Sequence, residues 1–186
     1  GDAAGLLTAV VTEAFDELTA ALRAGDARGA RAGRTGSDGD GARRILEQGV
    51  EYVAFAMRHP GRFRLMFRSG LLHEQAALMT SANAAFAVLE DGVRALRGLR
   101  EGAPIGGAAW ATLLATWSIV HGFAHLAIAG RLDWLARQEG AADRDAYVER
   151  WLRPSLAQAI AGLAGPAVRA PRPSRQRITS NRRRAA

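Results

Sequence analysis

The longest uncharged stretch of the chain covers residues 105–129 and consists mainly of alanine, leucine, tryptophan and glycine. No charged residue occurs between Glu101 and Arg131. Such a run is too long for a β-strand, so it predicts one buried helix of roughly 40 Å at ~1.5 Å per residue. An apolar run of ~20 residues also suffices to cross a bilayer. A transmembrane helix and the central helix of a bundle are therefore both open at this point.

The other predicted helices each carry one apolar stripe. They cover residues 1–24, 42–59, 61–71 and 73–99, with a short helical piece within 131–140 and a last helix that starts near residue 143. Stripes of this kind need a shared core, and His121 and His125 would be costly near the middle of a bilayer. No segment shows the alternation of a strand. The pattern therefore favours a soluble, all-α, antiparallel helical bundle around the apolar helix.

Glycines, prolines and one aspartate predict where the helices begin and end. Asp2 is placed to cap the first helix, and residues 25–41, rich in glycine and without a period, predict a loop. Pro60 ends the second helix and suits the first turn of the third. Gly130 predicts the end of the apolar helix. Pro154 is expected to kink the last helix, or to break it and open a new turn.

The net charge of +7 is concentrated at the C-terminal end. After Gly165 come seven arginines and no acidic residue, which leaves 18 basic against 18 acidic side chains before it. We therefore expect a helical domain over residues 1–165 and a disordered, arginine-rich tail over residues 166–186. The tail is either inert or makes salt-sensitive, non-specific contacts to phosphates. The absence of cysteine excludes disulfides and thiolate metal sites, and it fits a cytoplasmic location.

Three segments, in this order, resemble the TetR family of transcriptional regulators. The first 15 residues of this chain read GDAAGLLTAVVTEAF. They are similar to the junction between that family's helix-turn-helix domain and its regulatory domain. Residues 52–67 read YVAFAMRHPGRFRLMF, and they resemble a segment common in the family's C-terminal domains. Residues 117–122 resemble the Trp/His-Gly signature of one C-terminal domain type, the WHG type, WSIVHG.

The resemblance implies a cytoplasmic regulatory domain that forms a homodimer and binds a small apolar effector. Such a domain controls a helix-turn-helix, which is expected before residue 1, and it binds DNA only through that part. Repression is the commoner outcome in the family. Two alternatives remain: a stand-alone ligand-binding or dimerisation module without DNA binding, and a small membrane protein anchored by residues 102–130.

The candidate effector pocket combines aromatic and apolar residues with one histidine. Ligand pockets are mostly apolar with a few polar anchors, and Trp117 and His121 lie one helical turn apart, so both face the same side. The alternative for each of these residues is an ordinary place in the core. The predicted pocket residues are Phe55, Phe63, Met66, Phe67, Phe86, Trp117 and His121.

The resemblance also implies a four-helix dimer interface, made by the apolar helix and the last helix of each copy. Gly122 lacks a side chain in mid-helix, which costs about 1 kcal/mol and indicates close approach of another helix. The predicted interface residues are Trp110, Leu114, Gly122, Leu156 and Ile160.

No catalytic, cofactor or metal site is predicted. His121 and His125 have a spacing that can hold a metal ion, but further ligands would be needed, and the adjacent glutamate of a hydrolytic zinc helix is absent. Ser118 lies three residues from His121, but no acidic residue within that run orients the imidazole. An enzyme is not expected.

Overall fold

The computed structural model describes residues 3–32, 39–68 and 75–164, which form seven α-helices and no strand. This confirms the all-α prediction. In chain order the helices are α1 (Ala3–Ala32), α2 (Asp40–Arg58), α3 (Pro60–Met66), α4 (Ala76–Leu96), α5 (Gly107–Ile128), α6 (Asp133–Gln138) and α7 (Arg144–Ala164).

The second helix, α2, lies at the centre of the bundle. It packs against α1, α3, α4, α5 and α7, and its buried positions include Ile45, Tyr52, Val53 and Phe55. The apolar helix α5 contacts α2, α4 and α7 but leaves one face exposed. The prediction that α5 is the central buried helix is therefore wrong, because an uncharged sequence does not show which of its faces the chain itself covers.

The predicted loop at residues 25–41 is wrong over its first half. Helix α1 continues to Ala32 because two of its glycines allow close approach to α2. A Cβ atom on Gly25 would lie 2.7 Å from the carbonyl oxygen of Glu47, and one on Gly29 would lie 2.6 Å from the Cα atom of Arg44. Their four-residue spacing places both glycines on the α2 side of α1. Residues 33–38 lie outside the described part.

Several predicted helix boundaries are confirmed. Pro60 occupies the first turn of α3, and Gly130 follows α5 with a φ of 69°. The carboxylate of Asp143 accepts a hydrogen bond of 2.8 Å from the amide of Ala146, next to the start of α7. Of the two outcomes predicted at Pro154, the break does not occur, because α7 continues through it; the kink stays a prediction. Asp2 and the tail at residues 166–186 lie outside the described part.

Charged side chains join α1, α2 and α7 on one side of the bundle. The carboxylate of Asp26 accepts two hydrogen bonds of 2.8 Å from the guanidinium of Arg44. Glu47 pairs with Arg153 of α7 at 3.0 Å and with Arg28 of α1 at 3.6 Å. The hydrogen bond from Arg153, together with the charges of Arg153 and Arg28, lowers the pKa of Glu47 against the opposing effect of partial burial. These contacts reinforce the α1–α2 packing at the glycines.

Among the described helices, α5 is the one that is long and apolar enough to cross a membrane by length and composition. Of its most apolar 18-residue window, 39% is buried inside the protein. The buried side carries Ala109, Leu113, Thr116, Val120 and Ala124, and it completes the core beside α2 and α7.

We predict that Gly29→Ala lowers the free energy of unfolding by about 1–3 kcal/mol, because the new methyl group overpacks the backbone of α2. Gly61→Ala is the control: Gly61 is helical and exposed, and a Cβ there meets no atom within 4 Å. Urea unfolding of both variants measures the difference. If Gly29→Ala were stabilising, as expected for an open helix position, the packing of this part of α1 on α2 would be contradicted.

Candidate ligand-binding cavity

A cavity of about 280 Å³ lies between α1, α2, α4 and α5, beside Phe67 at the end of α3. Among the residues that the structure describes, no charged side chain lines it. Besides the indole of Trp117, four residues bring a polar side-chain group to the lining. These are Gln48, Tyr52, Asn83 and Thr116, and the other lining residues are apolar, aromatic or glycine. The apolar and aromatic lining comes from Phe15, Leu18, Leu22, Ile45, Phe67, Ala82, Ala85, Phe86, Leu89, Trp117 and Val120.

Three of the seven predicted pocket residues line this cavity, namely Phe67, Phe86 and Trp117. The rings of Phe86 and Trp117 meet edge to face, with centroids 5.8 Å apart. Phe15, on α1, makes the same kind of contact with Phe67 at 6.2 Å. Aromatic rings from four segments of the chain therefore form much of the wall.

The other four predicted residues lie elsewhere. Phe55, Phe63 and Met66 are buried in the core and do not line the cavity. Their side chains fill space between helices, as apolar side chains at helical spacing commonly do. His121 does not line the cavity either, but it lies directly behind the wall, with its ring 6.1 Å from that of Trp117.

His121 is held by Tyr52 and surrounded by rings. The hydroxyl of Tyr52 lies 2.8 Å from Nδ1 of His121. Phe67 contacts the imidazole edge to face at 4.5 Å, and the ring of His125 lies at the same centroid distance. Tyr52 lines the cavity on its other side, so this pair connects the cavity wall to the histidines of α5.

Burial shifts the pKa values of His121 and Tyr52 in opposite directions, in each case toward the uncharged form. Burial lowers the pKa of His121, and the charge of His125 lowers it further. Burial raises the pKa of the Tyr52 hydroxyl, and a smaller interaction with Trp117 opposes the rise. The hydroxyl of Tyr52 and Nδ1 of His121 share one hydrogen bond, and the tautomer of the imidazole sets which of the two atoms donates.

Gln48 and Thr116 are cavity residues that the sequence analysis missed. Both side chains are buried. The sequence contained a signal for both, because each is a polar residue on an otherwise apolar helix face. Gln48 lies between Ile45 and Tyr52 on α2. Thr116 lies between Leu113 and Val120 on α5. A polar group on such a face needs a partner when it is buried.

The predicted dimer residues divide into two groups. Trp110 and Leu114 are 43% and 42% exposed on the outer face of α5, and a Cβ atom on Gly122 would meet no atom within 4 Å. Leu156 and Ile160 are 1% and 6% exposed, because they face inward with the rest of the α7 stripe. Side chains that the same chain already covers have little surface left for a second copy. Leu156 and Ile160 are therefore core residues.

In the described ranges, His121 and His125 do not belong to a larger group of metal-binding side chains. No set of three or more histidine, aspartate or glutamate side chains there could hold a metal ion. The Nδ1 atom of His121 is also occupied by Tyr52.

We predict that acidification destabilises the protein partly through His121. The folded-state pKa of His121 is lowered, so the unfolded chain takes up a proton first as the pH falls. The stability is therefore present above the unfolded pKa of about 6.5 and is lost as the pH falls through the folded pKa. His121→Gln should reduce the loss of stability between about pH 7.5 and 5.5, measured by urea unfolding. His59→Gln is the control, because His59 takes no part in this hydrogen bond, and this variant should not reduce the loss of stability. An equal loss in both variants and the wild type would contradict the role given to His121.

Comparison with known proteins identifies the family. Residues 45–153, more than half of the chain, match the sequence model described as the tetracycline repressor-like C-terminal domain. No curated protein and no solved structure gave a significant match. The matched range takes in most of α2, all of α3 to α6 and the cavity residues of α2, α4 and α5. The WHG subtype stays a prediction. The chain belongs to the family of tetracycline repressor-like C-terminal domains.

Proposed function

We propose that the chain is the effector-binding and dimerisation half of a TetR-like transcriptional regulator. The observation that carries the proposal is the apolar cavity between α1, α2, α4 and α5. Such a cavity suits a small apolar effector, since ligand sites are mostly apolar with few polar groups. Regulatory domains of this kind are generally not enzymes, and a cytoplasmic regulator is the setting that we propose.

The ligand would act on DNA binding through α1. Phe15, Leu18 and Leu22 of α1 belong to the cavity wall, and the N-terminal end of α1 is where we expect the helix-turn-helix to join. Arg62 of α3 donates a hydrogen bond of 2.8 Å to Glu17, which ties the other side of α1 to the bundle. An effector that fits one position of α1 better than another shifts the population toward it by the difference in affinity. In a repressor, that position would be the one that releases DNA.

The outer face of α5 supports a homodimer. Every fourth residue from Trp110 to Leu126 is exposed, and none of the five is charged. Exposed apolar surface of this extent commonly marks an interface. Helix α7 packs beside α5 and exposes Trp151 together with small residues. We therefore propose that α5 and α7 of two copies form a four-helix interface around a twofold axis, with Trp110, Leu114 and Gly122 in contact.

We predict that Trp117→Ala weakens the binding of naphthalene, an uncharged apolar probe, at least about tenfold, because one wall of the cavity is removed. Isothermal titration calorimetry measures the affinity. Trp134→Ala is the control, since Trp134 is exposed on α6 and does not line this cavity. Equal affinity of both variants, or no binding of apolar probes to the wild type, would contradict the proposed effector site.

We predict that Gly122→Leu raises the dimer dissociation constant at least about tenfold, because a leucine side chain would separate closely packed helices. Gly61→Leu is the matched control: both glycines are exposed and helical, and a Cβ atom on either would meet no atom within 4 Å. Sedimentation equilibrium measures both constants. A dimer as tight in Gly122→Leu as in Gly61→Leu would move the interface away from this face of α5.

A further inference from the structure

Phe86 of α4 contacts two tryptophans of α5. Its ring meets that of Trp117 edge to face, with centroids 5.8 Å apart, and it meets that of Trp110 in the same way at 6.5 Å. Trp110 and Trp117 are seven residues apart, which is close to two helical turns, so both indoles project from the same side of α5. One phenyl ring therefore touches both indoles.

The two tryptophans belong to different surfaces. Trp117 lines the cavity together with Phe86, whereas Trp110 does not line it and is 43% exposed on the outer face of α5. Among the ring contacts of the described residues, the contact between Phe86 and Trp110 is the one that joins the cavity wall to an exposed aromatic ring. It connects the cavity directly to the proposed dimer face.

The packing of Phe86 depends on what the cavity holds. The residue is only partly buried: the two indoles cover part of its ring, and another part borders the cavity. A side chain that lacks close packing on one side loses dispersion contacts there and keeps part of its rotational freedom. A ligand supplies those contacts and restricts the phenyl ring. Since Trp110 packs on that ring, its indole is restricted as well.

We propose that ligand binding in the cavity strengthens the homodimer, and that Phe86 transmits the effect by fixing the indole of Trp110. This rests on the proposed function, in which the cavity holds the effector and the outer face of α5 forms the interface. Immobilising one side chain at an interface costs roughly two- to tenfold in affinity. Where the ligand has already fixed Phe86 and Trp110, dimerisation no longer meets that cost.

The coupling acts in both directions by thermodynamic necessity. If the ligand favours the dimer, the dimer binds the ligand more tightly than the monomer does. The total factor is the same, and it is shared between the two cavities of the dimer. A substitution on the dimer face, away from the cavity, should therefore weaken ligand binding when it separates the subunits.

Sedimentation equilibrium of the full chain with and without saturating naphthalene tests the inference. Naphthalene is uncharged and apolar, and its two rings suit a cavity of about 280 Å³, nearly twice the ~150 Å³ that takes up benzene. We expect the dimer dissociation constant to fall at least about fivefold, since each subunit contributes one Phe86 and one Trp110. An unchanged or larger constant would overturn the inference and leave both the cavity and the dimer intact. A chain that binds no naphthalene, or forms no dimer, would overturn the proposed function as well.

Phe86→Leu keeps an apolar side chain but removes the ring that touches Trp110. At a naphthalene concentration that saturates this variant, we expect its dimer dissociation constant to change less than about twofold. Phe15→Leu is the matched control, because Phe15 lines the cavity from α1 and its ring meets that of Phe67 rather than an indole of α5. This control should keep the full effect. Equal effects in the two variants would contradict the role given to Phe86.

Gly122→Leu tests the reverse direction, because Gly122 lies on the outer face of α5 and does not line the cavity. Calorimetry is done at a protein concentration at which this variant is monomeric and the wild type dimeric. We expect naphthalene to bind Gly122→Leu about twofold more weakly than the wild type, which is one cavity's share of a fivefold effect. The control Gly61→Leu should bind as the wild type does. Undiminished affinity in Gly122→Leu would overturn the coupling.

Discussion

The close approach of α1 and α2 at Gly25 and Gly29 determines how the cavity wall is assembled. Without side chains at these positions, the backbones of the two helices meet directly. The contact brings Asp26 of α1 to Arg44 and Gln48 of α2, and Asp26 in turn fixes the amide of Gln48. One face of the pair forms part of the wall of the cavity. A helix that is both part of that wall and the expected connection to a DNA-binding domain is suited to transmit ligand binding.

The helices themselves could be predicted from the sequence because their signals are local. Apolar stripes at helical spacing, Pro60 at a helix start and Gly130 at a helix end act within a few residues of where they stand. The errors concern contacts between distant segments. Gly25 and Gly29 look like loop residues until α2 is placed against them, and α5 looks fully buried until its outer face is seen to be uncovered. Leu156 and Ile160 could not be assigned to core or interface without knowing which side of α7 faces α2.

The cavity could be predicted only in part, for the same reason. Phe67, Phe86 and Trp117 line it, whereas Phe55 and Phe63 have the same composition and periodicity but fill the core. The two groups differ in how far apart the neighbouring helices lie, and the spacing of residues along the chain gives no information about that distance. The hydrogen bonds of Gln48 reach 22 and 40 residues along the chain. The chemistry of the wall therefore emerges only when α1, α2 and α4 are assembled, even though a polar residue on an apolar stripe is visible in the sequence.

If a ligand in this cavity acts on α1, its binding must change the stability of that helix. Hydrogen–deuterium exchange with and without saturating naphthalene tests this, because it reports the opening of each helix separately. We expect slower exchange in α1 around residues 15–22 and in α5 around residues 116–120, next to the cavity. Saturating binding that leaves α1 unchanged, or that protects only segments away from these helices, would contradict the proposed coupling.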